Sequence, residues 1–190
     1  MSGFLKYYQE AFQRQASGKA ALLSLLILVI ASVGMSLLVG HFSALMQGRM
    51  PLDLTLFYGP ATAREFLAAL TPEASDFYQR AILPADMLYP LTYALTISVI
   101  VAWLVAKIQR GGATAPRWLI AYALIPAAFD YFENVCFKLM MSNVSGGSDS
   151  LLAVASAGSA LKWATALIGE GLLVYLLVRY WNTRQTRGHS

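Results

Sequence analysis

Apolar residues along this chain gather into four long blocks separated by polar segments. A helix that crosses the roughly 30 Å hydrocarbon core of a bilayer needs about 20 apolar residues. The blocks at Ala20–Val39, Ala85–Ala106, Trp118–Met141 and Leu151–Tyr180 all reach that length. The last would be about 45 Å long at 1.5 Å per residue, so it must tilt, project from the membrane or begin late. The pattern predicts an all-α, polytopic membrane protein: a four-transmembrane-helix bundle in a single membrane domain, residues 1–190.

The 40–84 segment between the first two blocks carries helical signals of its own. Thr62-Ala63-Arg64-Glu65 has the form of a capping box, after which Phe66, Leu67 and Leu70 share one helical face. Thr71-Pro72-Glu73 reads as a second start, with a threonine N-cap and proline at the first helical position. Short helices are expected here, lying on the outer surface over the bundle mouth. Ser145-Gly146-Gly147-Ser148-Asp149 reads as a flexible turn.

Composition sharpens the membrane reading. Hydrophobic residues make up 57% and charged residues 13%, against roughly 25% charged in a soluble domain. The net charge of +4 is spread in ones and twos at the block ends, a placement that suits topology and not phosphate binding, so no nucleic-acid partner is expected. Lys6, Arg14 and Lys19 precede the first block, Lys107, Arg110 and Arg117 fill the second turn, and Arg179, Arg184 and Arg187 follow the fourth. Both termini are therefore expected in the cytoplasm, and the expected location is a bacterial inner (plasma) membrane. The first block is too long for a signal-peptide core and no small-x-small site follows it, so it reads as a retained helix. Cys136 is the only cysteine, and His41 and His189 are the only histidines. That leaves no ligand set for a metal built on several His or Cys, and no cofactor is expected.

Ionisable residues inside the blocks carry the functional reading, because each costs about 2.5 kcal/mol or more near the bilayer centre. Asp130, Glu133 and Asn134 fall at i, i+3 and i+4 on one face of the third block. Counted along an unbroken helix from Arg117, Asp130 lies about 20 Å and Glu133 about 24 Å in. Lys162, Ala166 and Glu170 share a face of the fourth block, and Lys162 comes level with Glu133. Asp86, Tyr89, Pro90 and Tyr93 begin the second block. Pro90 cannot donate to the carbonyl of Asp86, and Pro126 likewise leaves that of Tyr122 without its helical donor. Pro126 should also bend the third helix. The candidate ligand-binding set is Asp86, Tyr89, Tyr93, Asp130, Glu133, Asn134, Lys162 and Glu170. Plainer roles exist for its members: Asp86 as a helix-dipole partner, Lys162 with Glu133 as a structural bridge, and Asn134 as interhelical glue. Lys138 reads as a snorkelling residue and His41 as an interfacial one. The row Ser156, Ala160 and Ala164 reads as a close-packing face.

Asp53 in Pro51-Leu52-Asp53-Leu54, and Asp86 in Leu83-Pro84-Ala85-Asp86-Met87-Leu88-Tyr89-Pro90, bracket that long helical loop. In this layout the chain resembles the EXPERA group, which includes sigma-2-receptor-like proteins and sterol isomerases. The resemblance implies a compact membrane bundle with Asp53 and Asp86 as acids of an internal ligand pocket. It does not extend to Asp130, Glu133, Asn134 and Lys162, and the isomerase histidine has no counterpart in blocks two to four. The leading expectation is a protein that binds a small lipid-like or amphipathic ligand, with a cationic head, among acids in the outer half of the bundle. An intramembrane isomerase or hydrolase using Asp130 or Glu133 as acid and base is a second reading. A subunit of a homo-oligomer or larger membrane complex is a third.

Overall fold

A computed structural model describes residues 3–56, 58–142 and 148–187. They form helices α1 (Gly3–Gln15), α2 (Gly18–Leu45), α3 (Pro60–Ala69), α4 (Pro72–Phe77), α5 (Leu83–Arg110), α6 (Leu124–Ser142) and α7 (Asp149–Arg187). Short 3-10 turns occupy Leu52–Leu54 and Arg117–Ala121, and a π-helical turn at Tyr78–Ile82 joins α4 to α5. No strand occurs among the described residues. Three stretches are long and apolar enough to cross a membrane: Gly18–Leu45, Pro72–Arg110 and Asp149–Thr186. α6 has the length, but it carries Asp130, Glu133 and Lys138 within its 19 residues.

The chain falls into two compact units, and each of α2, α5, α6 and α7 contributes a portion to both. The first unit comprises residues 1–29, 92–125 and 165–190. Its core is aliphatic, built from Val101, Leu104, Val105 and Ile108 of α5 with Leu119, Ile120 and Leu176. The N-terminal segment, read above only as a basic flank, is an amphipathic helix. Tyr8 and Phe12, one turn apart, pack against this core with ring centroids 4.5 Å apart, and the Tyr8 hydroxyl donates to Ser98 Oγ at 2.9 Å. α5 ends in a left-handed turn: Gly112 has φ of 85°, and Ala113 N–H returns to the Ile108 carbonyl at 3.2 Å. Only glycine takes that conformation cheaply.

The third block does not form one helix. Arg117–Ala121 is a 3-10 turn, and α6 begins at Leu124. Pro126 therefore sits in the first turn of α6, where no intrahelical N–H is needed, and not at a mid-helix bend. The Tyr122 carbonyl accepts from Ile125 N–H at 3.0 Å, so the expectation of an unsatisfied carbonyl there is overturned.

The second unit comprises residues 30–91 and 126–164. Its core is aromatic: Phe42, Phe66, Tyr78 and Phe137 meet with ring centroids 5.4 to 6.2 Å apart, flanked by Leu52, Ile82, Met140 and Leu152. α4 starts as its sequence predicts, with Thr71 Oγ1 accepting from Ala74 N–H at 3.1 Å and Pro72 at the first position. α3 does not. It begins two residues before Thr62, with Gly59 as N-cap and Pro60 first, so the capping box is inside the helix; the expected apolar face is nonetheless the one that packs, through Phe66, Leu67 and Leu70. The glycine-rich turn read at 145–149 lies mostly outside the described residues.

Candidate functional site

The chemistry of the second unit converges on one amine. Lys162 projects from α7 with its Nζ 2.5 Å from Glu133 Oε2 and 3.3 Å from Asp130 Oδ1, and it donates to the main-chain carbonyl of Asp53 at 3.1 Å. Glu133 is fully buried, and Asp130, Asp53 and Lys162 nearly so. α6 aims both acids at the lysine because positions 130 and 133 are one turn apart. With α6 starting at Leu124, Asp130 lies about 9 Å from its start. The depth of about 20 Å counted along an unbroken helix does not apply.

α7 reaches this spot through a buried row at Leu152, Ala155, Ser159 and Lys162. The expected row Ser156, Ala160 and Ala164 is only partly covered, and Ala164 is exposed. Close approach occurs instead at Gly158, where an added Cβ would stand 2.8 Å from the Phe132 ring of α6. Two α7 side chains fasten the 52–58 segment by its carbonyls: Ser156 Oγ donates to Tyr58 O, and Lys162 donates to Asp53 O. The Tyr58 hydroxyl then donates to Glu133 Oε1 at 3.4 Å.

A second junction lies at Pro90. The Asp86 carbonyl, deprived of its helical donor by the proline, accepts from Asn134 Nδ2 at 3.1 Å. The asparagine thus replaces the missing N–H from a neighbouring helix. Among the described residues, the buried Asp86 Oδ2 and Asp53 Oδ1 have no hydrogen-bond partner, and the same holds for Tyr78 OH and Ser159 Oγ of the same unit. Burial is the main force on Asp53 and raises its carboxyl pKa to about 6. Lys162 opposes the shift, while Glu133 and Asp130 add to it. Burial, reinforced by Glu133, likewise raises the Tyr58 hydroxyl, so it stays a donor.

The eight sequence-predicted residues divide as follows. Asp130, Glu133 and Lys162 form the ionic centre, and Asn134 and Asp86 meet at the proline junction. Tyr89 is half-buried in the second unit, its hydroxyl 3.0 Å from Ser32 Oγ on α2. Tyr93 and Glu170 belong to the first unit, and Glu170 is exposed on α7 instead of facing inward. Sequence periodicity did not find Tyr58 or Ser156, because Tyr58 lies outside the helices and Ser156 binds its carbonyl. Asp53 entered only through the EXPERA resemblance, as a pocket acid; the lysine meets its main-chain carbonyl and not its carboxyl. Lys138, read as snorkelling, is exposed on α6.

Four buried carboxyl groups therefore accompany one buried ammonium. Such a centre can hold protons or accept an organic cation. Among the described residues no group of His, Cys, Asp and Glu is arranged to hold a metal ion, and the carboxylates of Asp130 and Glu133 already share the lysine. Comparison with protein-family profiles, with curated proteins and with solved structures finds no match to this chain.

Proposed function

We propose that this is a membrane protein of four spanning helices, α2, α5, α6 and α7, with both termini in the cytoplasm. It binds a small lipid-like or amphipathic molecule through a cationic head at the Asp53, Asp86, Asp130, Glu133 centre. The excess of buried carboxylate over ammonium carries this reading, in particular the two oxygens, Asp53 Oδ1 and Asp86 Oδ2, that no donor among the described residues reaches. An unpaired buried acceptor costs about 1–3 kcal/mol, more if charged, and a ligand ammonium would offset that cost. Lys162 then holds the centre together by bridging α6, α7 and the 52–58 segment, and leaves the remaining acids for the ligand. The bilayer accounts for α6 as a fourth span: its three charges are tolerable when two face the bundle and Lys138 reaches the interface. The basic residues at the two ends of the first unit favour N-in, C-in.

Detergent-purified protein heated with a long-chain alkylammonium, with an alkyl sulfate and with a neutral glycol ether of equal chain length tests the ligand reading. The ammonium is expected to raise the melting temperature, and the other two are not. Asp86→Asn and Asp130→Asn should keep the fold and lose the response. Equal stabilisation by all three amphiphiles would overturn the cationic specificity. Cysteine placed at Ser148 should react only from outside and at Thr186 only from inside.

Asp53, with a carboxyl pKa of about 6, also supports a second reading as an intramembrane acid–base enzyme, since such a group can release and regain a proton near neutral pH. Turnover of an added amphiphile, lost in Asp53→Asn, would select it over simple binding.

A further inference from the structure

The outward face of α7 in the first unit repeats every 3.5 residues. Leu167, Gly171, Val174, Val178 and Trp181 follow one another at alternating steps of four and three, and all are exposed. Ile168, Glu170, Tyr175 and Leu177, which flank that row, are exposed too. Leu176, Leu172 and Leu173, on the opposite side, pack into the unit's own core. Coiled-coil helices present this division, with a row of knobs and its two flanks outward. Gly171 has open space where a side chain would stand, so a neighbouring backbone can come close.

Glu170 is the anomaly on this face. Acidic side chains within spanning helices are rare and almost always face protein or water, yet this one lies between Leu167, three residues before it, and Val174, four after it, on the exposed face. Its position relative to the row says what would cover it. In a parallel pair of identical helices, a residue on one flank meets the residue five positions later on the other flank of its partner. Five positions after Glu170 is Tyr175. Its hydroxyl already accepts from Arg179 Nη1 at 3.2 Å, and the Arg179 guanidinium lies 5.8 Å from the Tyr175 ring centre. A carboxylate therefore meets a phenol proton backed by a guanidinium, a charge-assisted arrangement. Two-fold symmetry makes the contact twice. Two copies inserted in one membrane with the same topology are necessarily parallel, which is the orientation this matching requires.

We propose that the α7 face from Leu167 to Trp181 is a dimerisation surface for a second copy of this chain, with Glu170 of each copy accepting from Tyr175 of the other. This rests on the outward face of the first unit and stands or falls apart from the ligand reading.

Disulfide cross-linking in proteoliposomes tests it, with Cys136→Ser as the background. Cysteine at Val174 should cross-link readily, whereas cysteine at Leu22, the more exposed of the two and on α2, should not. Glu170→Ala should weaken self-association, read by energy transfer between labelled copies, by about three- to thirtyfold. Glu170→Gln should recover part of that loss, and Gly171→Leu should abolish close pairing. Because both positions are exposed, the melting temperature of the separated protein serves as a fold check and should not change. Monomers at every protein-to-lipid ratio, equal cross-linking at Leu22 and Val174, or undiminished association in Glu170→Ala would each overturn the proposal.

Discussion

In the first unit nine lysines and arginines accompany two acids, whereas in the second five bases accompany eight. The buried polar groups follow the same division. In the first unit the hydroxyls find partners, Tyr8 with Ser98 and Thr96 with the Ser24 carbonyl, beside the buried amide of Gln9. Among the described residues, the buried polar side-chain atoms that lack hydrogen bonds, including Asp53 Oδ1, Tyr78 OH and Asp86 Oδ2, all lie in the second unit. A fold needs only the first kind of solution. The second kind lowers stability, and its concentration in one unit marks where function is to be sought.

The largest effect expected from breaking this contrast is at Lys162. Lys162→Met leaves Glu133 fully buried with only the Tyr58 hydroxyl, and should lower stability by about 3–5 kcal/mol. Adding Glu133→Gln should recover most of the loss, measured by thermal melting in detergent; no recovery would mean that the pair is not the unit of stability. Leu104→Ala makes the complementary test in the first unit. It opens a cavity in an aliphatic core, so a loss of about 2–5 kcal/mol is expected, with the response to alkylammonium unchanged. Were that response lost as well, the division of labour between the units would fail.

A subtler cut separates packing from hydrogen bonding at the proline junction. Asn134→Leu strands the Asp86 carbonyl and should cost about 1–3 kcal/mol. Pro90→Ala in that background restores an N–H four residues after Asp86 and should return much of it, as denaturant midpoints would show. Had Pro90→Ala alone the same effect as in the double variant, the asparagine would be incidental.

Acidity gives a smaller, signed test. Asp53 binds its proton more readily in the folded chain than unfolded. Its contribution to stability is therefore present at low pH and is lost as pH rises from about 4 through about 6. Cation binding runs the other way, because the cation replaces the proton. Alkylammonium affinity should be about tenfold weaker at pH 5 than at pH 7, and Asp53→Asn should flatten the profile. The smallest effect is at the cap of α4, where Thr71→Ala should cost about 1 kcal/mol without touching ligand response.

Much of this was legible from local pattern. Hydropathy located α2, α5 and α7, and helical spacing put Asp130 with Glu133 and brought Lys162 level with them. The rule about prolines flagged the Asp86 carbonyl, though not that Asn134 would answer it. The misses share a physical cause. Whether Trp118 continues into α6 depends on how Ile120 and Leu119 pack in the first unit, and no periodicity records that. The start of α3 was decided between two plausible caps, and Gly59-Pro60 prevailed over Thr62. Glu170 was assigned inward by assuming that every charge in a span must be covered by its own chain. Asp53 sits in a short 3-10 turn and Tyr58 outside any helix, where spacing carries no direction, and their partners lie far along the chain.

That last separation has a consequence in time. The Asp53 carbonyl and the Lys162 amine that binds it are 109 residues apart. At synthesis rates of about 5–20 residues per second, roughly 5–20 s pass between the making of one and the other. During that interval Asp86, Asp130 and Glu133 join Asp53 in the nascent chain, all of them before the Lys162 ammonium is made. The acids cannot be sealed into a dry interior before α7 arrives, so the last helix to be made is the one that closes the centre. Chains arrested before residue 162 should keep those carboxylates open to water and remain susceptible to the quality-control proteases of the membrane.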